Sequence, residues 1–286
     1  MTNIIEIKNL VKKYDNRFTL GSIDLEIPNG VIVGLIGENG AGKTTLIKSI
    51  LNILKIDEGN IKIFNKDFNK EENTIKEDIG VVLDNMFFPE ILTPKDINIV
   101  MKDIYKKWDE ELFKKYLNDF GLNINKQIKT MSKGMRKKLE IATSLSHHPK
   151  ILILDEPTSG LDPVVRNEVL DIFLDFIQDE EHTILLSTHI TSDLEHIADK
   201  IIFINKGKIL LDKNRDDLLD NYGILKCDID SFDTISKEDI IVYKKNKYNY
   251  EILVDNISKI KKKYKNFIVD KITLEELMVL MIKGVK

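Results

Sequence analysis

The 286-residue sequence holds one cysteine, Cys227. A single thiol closes no internal disulfide, so a disulfide-built fold is excluded and a reducing compartment is expected. Long apolar runs are also missing. A membrane span needs roughly 20 consecutive apolar residues, whereas Ile151-Leu152-Ile153-Leu154 is strand-sized and flanked by Lys150 and Asp155. The opening MTNIIEIKNL places Glu6 inside what would be a signal core, so no secretory signal is expected. Nor is there an excess of basic charge. Lys and Arg number 43 against 47 Asp and Glu, which argues against nucleic acid as the main partner. Internal repeats, low-complexity tracts and sustained heptads are absent. The composition that remains, 42% hydrophobic and 31% charged, fits a folded soluble protein long enough for one large domain or two smaller ones.

Within residues 1–30, Ile5, Ile7, Leu20, Ile23, Leu25 and Ile27 recur near period two, which predicts antiparallel strands with a turn around Tyr14-Asp15-Asn16. Val31–Ile36 reads as a strand, Thr44–Leu54 as a helix, Asp57-Glu58-Gly59 as a turn and Ile61–Phe64 as a further strand. Residues 90–148 read as mostly helical. Thr93-Pro94 opens one helix, and Ser132 opens another that runs to Pro149. Strands at Ile151–Leu154, Thr183–Ser187 and Ile201–Ile204 alternate with helices at Pro163–Ile177 and Ser192–Ala198, which predicts a parallel sheet covered on both faces. Asn205–Lys208 reads as a hairpin turn. A short helix over 213–222 should stop at Gly223. Beyond it, Ile240–Tyr243 and Tyr248–Val254 form a plausible hairpin, and Thr273-Leu274-Glu275-Glu276 is a capping box for a last helix. Trp108, Tyr105, Phe113 and Tyr116 read as core of the helical part. His147 and His148 read as a polar helix end, and His182 and His196 as surface residues.

Three segments carry chemistry. Gly37-Glu38-Asn39-Gly40-Ala41-Gly42-Lys43-Thr44 matches G-x-x-x-x-G-K-[ST], the phosphate-binding loop. Its glycines let backbone N–H groups converge on phosphate oxygens, and the following helix adds its positive end. Lys43 would reach the β and γ phosphates, and the Thr44 hydroxyl would ligate Mg²⁺. Next, the apolar run Ile151–Leu154 ends in Asp155 and Glu156, two acids that a buried strand rarely carries without a cation or a reaction to serve. In a phosphate-loop ATPase, Asp155 would hold the Mg²⁺ through water and Glu156 would polarise the attacking water. Last, Ser132-Lys133-Gly134-Met135 opens a helix with groups suited to phosphate oxygens.

In this order the segments resemble the ATP-binding subunits of ATP-binding cassette (ABC) transporters, over about residues 3–212. Ser159-Gly160-Leu161-Asp162 stands at the family's D-loop, His189 at its switch histidine and Tyr14 at its adenine-stacking aromatic. The resemblance implies an α/β phosphate-loop NTPase fold with a parallel-sheet core, an N-terminal antiparallel β subdomain, a helical subdomain at about 85–148 and a small C-terminal α/β tail at 213–286. It implies ATP and Mg²⁺ as ligands. Nucleotide contacts would come from Tyr14, Gly37, Glu38, Asn39, Gly40, Ala41, Gly42, Lys43, Thr44, Thr45, Ser132, Gly134 and Asp162. Metal contacts would come from Thr44, Asp84 and Asp155, and catalysis from Glu156 and His189. Two such subunits would sandwich ATP head to tail, each phosphate loop facing the other's Ser132 segment. The pair would drive a separate membrane permease from the cytoplasmic face.

Two departures from the family pattern bear on this. Asp84 occupies the usual place of a glutamine after the strand Ile79–Leu83; it is expected to act as a charged Mg²⁺ ligand, the alternative being a cap on the turn before Phe87. The signature reads Met131-Ser132-Lys133-Gly134-Met135 where Leu-Ser-Gly-Gly-Gln is usual. These variants, with Phe87-Phe88-Pro89-Glu90, resemble a bacterial subgroup of drug- and antibiotic-export ATPases paired with ABC-2 type permeases. The rival readings are a non-transport ABC ATPase, disfavoured by the single phosphate loop and the missing coiled coil, and an ATP-bound structural switch, disfavoured by the presence of Glu156 and His189.

Overall fold

The computed structural model describes residues 2–14, 18–84 and 88–285. Strands β1 (Asn3–Tyr14) and β2 (Phe18–Pro28) pair antiparallel, as the period-two pattern requires. The turn expected at Tyr14-Asp15-Asn16 lies mostly outside the described residues. Strand β3 (Ile32–Ile36) leads through the glycine loop into helix α1 (Lys43–Ile50). This helix is shorter than the apolar spacing to Leu54 predicts. Asn52 takes φ 54°, and its N–H donates to Ser49 O while Ile53 N–H donates to Lys48 O, a Schellman closure with Asn in the left-handed position. Strand β4 (Glu58–Ile63) begins earlier than expected, because Glu58 lies across from Val11 and Asn60 from Lys8, so Glu58 and Gly59 belong to the strand rather than to a separate turn. Strand β5 (Lys66–Asp67), helix α2 (Phe68–Glu77) and strand β6 (Ile79–Val82) complete this half.

Helices α3 (Pro94–Ile104), α4 (Glu110–Asp119) and α5 (Lys133–Leu145) form a layer closed by Ile97, Phe113, Leu117 and Leu139, with Trp108 and Tyr116 packed against them. Thr93 and Asp96 build a reciprocal cap for α3, and the Trp108 indole donates to Asn98 Oδ1 at 2.9 Å. Helix α5 stops at Leu145, not Pro149, so His147 does not end it. The His147 ring turns inward, 1% exposed, stacks on Tyr105 at 4.0 Å and bonds Ile79 O through Nε2. Tyr105 thus belongs to this seam between layers. His182 is half-buried rather than a free surface residue, stacked on Phe176 at 4.2 Å, whereas His196 is exposed as expected.

Strand β7 (Ile151–Asp155), helix α6 (Pro163–Phe176), strand β8 (Thr183–Thr188), helix α7 (Thr191–Ile197), strand β9 (Lys200–Asn205) and strand β10 (Lys208–Asn214) follow. The six-stranded sheet runs β10-β9-β3-β8-β7-β6, parallel except for the hairpin strand β10. Its residues alternate between two cores. Val33, Leu35, Ile151, Ile153 and Leu185 face the β1–β2–β4 sheet and α1, while Ile32, Leu152, Leu154, Ile184 and Leu186 face α6 and α7.

The tail comprises α8 (Arg215–Asn221), β11 (Gly223–Asp228), β12 (Val242–Lys245), β13 (Asn249–Val254), α9 (Ile257–Lys263), β14 (Ile268–Lys271) and α10 (Leu274–Lys283). Its sheet order is β12-β13-β11-β14. Gly223 opens β11 rather than capping α8; a side chain there would strike Ile257 and Asp270 O. The capping box at Thr273 and Glu276 is formed. Leu274, Leu277 and Leu280 of α10 join the core beneath α6 and α7.

Candidate active site

Strands β3, β8, β7 and β6 are neighbours and parallel, so their carboxyl ends open on one edge of the sheet. That edge collects the segments that carry chemistry, the place where open α/β sheets bind ligands. Gly42 precedes α1 with φ 114°, a backbone region costly for any residue with a Cβ, and it offers no side-chain cap to the helix N-terminus. Gly37 is fixed by contact instead: a Cβ would lie 2.2 Å from Ile204 O. The loop therefore curls with its backbone amides and the positive end of α1 toward the cleft.

The cleft measures about 570 Å³ and is lined by Phe18, Glu38, Asn39, Gly40, Gly42, Lys43, Thr44, Thr45, Asp84, Glu156, Ser159 and His189. The loop, Glu156, His189 and Asp84 are thus brought together. Lys43 is 5% exposed. Its ammonium donates to Gly37 O at 2.8 Å and lies 3.4 Å from Glu156 Oε1. The other oxygen of Glu156 lies 2.7 Å from His189 Nδ1. Glu156 is held between a fixed cation and an imidazole, in a backbone conformation of φ 51°.

Asp155 sits beside Ser187 in the β7–β8 register, 1% exposed, and its Oδ1 accepts the Ser187 hydroxyl at 2.5 Å. Its Oδ2 is buried without a hydrogen-bond partner. A buried carboxylate oxygen left unpaired is expensive, and a cation or its bound water would satisfy it. Asp155, with the Thr44 hydroxyl and the Asp84 carboxylate on the cleft wall, fits a hard divalent cation. Among the described residues no group of three or more His, Cys, Asp or Glu makes a metal cage. Such an ion would therefore take few protein ligands and complete its shell with phosphate and water, the manner of Mg²⁺.

The remaining expected residues lie elsewhere. Gly37 and Ala41 support the loop from behind. Tyr14 is 40% exposed, and its ring centroid is 6.2 Å from that of Phe18. Phe18, which lines the cleft where Tyr14 does not, escaped the motif reading because an aromatic beside a strand turn looks like any other strand residue. Ser187, the partner of Asp155, was equally silent, and Ser159 was read as part of the D-loop match but not as a residue of the cleft. Ser132 caps α5 through Met135 N, and Asp162 caps α6 through Val164 N and Val165 N. Gly134 packs near Val165, and the Lys133 side chain reaches over Gly160. These residues form a second cluster, outside the cleft.

A buried pair joins the helical layer to the cleft. Lys137 of α5 donates to Leu83 O at 2.9 Å, just before Asp84, and pairs with Glu140 Oε2 at 2.9 Å. Burial pushes the Glu140 carboxyl above its ordinary range against the pull of Lys137, and the nearby Asp84 charge adds to the rise.

Comparison with known proteins gives one answer. Residues 20–159 match the ABC transporter family. The chain is 37% identical over 215 residues to the lantibiotic transport ATP-binding protein SrtF of Streptococcus pyogenes, covering 74% of this chain and 92% of that one. It is 34% identical over 228 residues to the daunorubicin/doxorubicin resistance ATP-binding protein DrrA of Streptomyces peucetius, covering 78% and 68%. A solved ATP-binding subunit of an ABC transporter superposes with TM-score 0.67 at 26% identity, over 75% of this chain and 91% of that one. No helix among the described residues is long and apolar enough to cross a membrane. The chain belongs to the ABC transporter ATP-binding proteins, the ATP-hydrolysing subunits of membrane transporters.

Proposed function

We propose that this ATPase energises export through a separate ABC-2 type permease, working as a head-to-tail pair at the cytoplasmic face of the membrane. Residues 1–212 form the cassette, with its helical part at about 85–148, and residues 213–286 an accessory unit. The observation that carries the catalytic assignment is the Glu156 carboxylate, bridged between Lys43 and His189 at the base of the cleft. ATP phosphates lie against the amides of Gly37–Thr45, and Lys43 leaves Glu156 for the β and γ oxygens. Glu156, released from its ion pair, accepts the proton of the attacking water. His189 holds the water and the γ-phosphate. Thr44, Asp84 and Asp155 would hold Mg²⁺, which would supply charge neutralisation for the phosphates when bound. Tyr14 and Phe18 offer aromatic faces to the base. Ser132, Gly134 and Asp162 meet the nucleotide of the second subunit.

Export is supported by the lantibiotic and drug-resistance functions named for the relatives. Permease docking is supported by an exposed apolar surface on the helical layer: Ile91, Ile99, Val100 and Ile104 are 44–67% exposed. Val100 and Ile104 are chain neighbours of Met101 and Tyr105, which with Leu51 and Phe88 line a cleft of about 400 Å³. Such a surface marks a partner site. Glu156→Gln tests the catalytic core. Binding of labelled ATP should persist while steady-state hydrolysis falls at least about 100-fold, and light scattering should detect an ATP-dependent dimer. Turnover near that of the parent protein would remove Glu156 as the base.

A further inference from the structure

We propose that Asp193 is a positioning residue for hydrolysis, tying the segment after Glu156 to the helix after His189 from behind the cleft. Asp193 lies in the first turn of α7 and is 1% exposed. Its Oδ2 accepts the Thr158 hydroxyl at 2.6 Å, and its Oδ1 accepts from Arg166 of α6. Arg166 also donates to Ser192 Oγ at 2.6 Å. Thr158 is itself 1% exposed and follows Glu156 by two residues.

The same two chain segments are thus joined twice. In the cleft, His189 meets Glu156. Behind it, Asp193 meets Thr158. Only the first joint touches the reacting groups, and it must loosen as nucleotide enters. The second is sealed from water and stays. Two features make it more than packing. Glu156 occupies a φ of 51°, a conformation an L-residue keeps only when its surroundings impose it. The adjoining backbone is anchored by Thr158 and by the bond from Glu156 N to Ser187 O at 3.0 Å. Helix α7 meanwhile begins at Ile190 without a side-chain cap, so its start is held by Asp193 and Arg166 instead. A carboxylate this buried is unfavourable alone; Arg166 supplies the opposite charge beside it, and the Thr158 hydroxyl donates to its other oxygen.

The inference rests on Glu156 and His189 being the hydrolytic pair. Its test uses Thr158→Val, Thr158→Ser and Asp193→Asn in the full chain, each assayed for hydrolysis and for equilibrium binding of labelled ATP. Thr158→Val removes one hydroxyl and keeps the volume. The expected result is ATP affinity within twofold of the parent and a kcat lower by roughly 10- to 100-fold, since misplaced catalytic groups cost this much. Thr158→Ser should recover most of the kcat. Asp193→Asn should repeat the split, and it decides the question if Thr158→Val does not fold. Parallel loss of affinity and turnover, or a kcat within twofold of the parent in either folded variant, overturns the proposal. Glu156→Gln is measured alongside. If it still hydrolyses ATP, the assignment of the pair fails; if it does not and Thr158→Val remains fast, the positioning role alone fails.

Discussion

At the scale of single residues, the informative positions are those where this chain departs from its family's usual pattern. Asp84 is exposed and lines the same cleft as Thr44, Glu156 and His189. The peptide just before it is pinned by Lys137. If the proposed Mg²⁺ binds there, a carboxylate so placed would offer it a charged oxygen where a glutamine would offer a neutral one. Asp84→Asn should therefore raise the Mg²⁺ concentration for half-maximal hydrolysis by about 5- to 30-fold, the equivalent of about 1–2 kcal/mol. Asp84→Gln should remain active. A Mg²⁺ titration reads both, and an unchanged requirement in both variants would leave Asp84 with a capping role only. The motif residues were legible because their chemistry demands fixed spacing in the chain. Lys43 shows the limit of that reading. Its place in the loop was evident, but its burial against Glu156 depends on β7 lying one strand away from β8 and two from β3, which no local pattern encodes.

At the scale of elements, starts were more legible than ends. Thr93, Ser132 and Thr273 announce helices because a side-chain oxygen must accept the free amides of the first turn. Ends rest on single left-handed residues such as Asn52 and His148, which carry little signal without a glycine. The end of α5 misled most, since it hides a titrating group. Burial pushes His147 below its ordinary 6.5, against backbone carbonyls that favour its charge. Well above pH 6.5 it is uncharged in both folded and unfolded chains. As pH falls through about 6.5 the unfolded chain takes up a proton and the folded one does not, so folding is weakened. Glu140 acts oppositely above 4.5, because its raised pKa lets the folded chain hold the extra proton. Comparison with His147→Gln isolates the histidine. The melting temperature of the parent should fall relative to His147→Gln between pH 7 and pH 5; parallel melting curves over that range would mean His147 is not held neutral.

At the scale of the molecule, the tail is where sequence patterns say least, because its elements are short and its partners distant in the chain. Ordinary strand and helix signals there suggest a small unit of its own, and Leu225, Ile252 and Val254 do build a separate core. Yet α10 packs on the cassette. Leu277 and Leu280 share a cluster with Leu170, Leu194 and Ile197, and Leu274 N donates to Glu195 Oε1 of α7 at 2.7 Å. Arg215 adds a bond to Glu195 O. The helix that follows His189 is therefore covered by residues from the end of the chain, and tail and cassette should unfold as one body. Leu277, 4% exposed, tests this. Leu277→Ala should destabilise the protein by about 2–5 kcal/mol through lost transfer energy and the space left behind. Trp108, the one tryptophan, lies in the helical layer and reports on the cassette alone. In urea, its fluorescence midpoint should move down together with the loss of helical circular dichroism. A Trp108 transition left in place, with an earlier separate loss of ellipticity, would mean that the tail melts by itself and that its contact with α7 does not couple it to the catalytic edge.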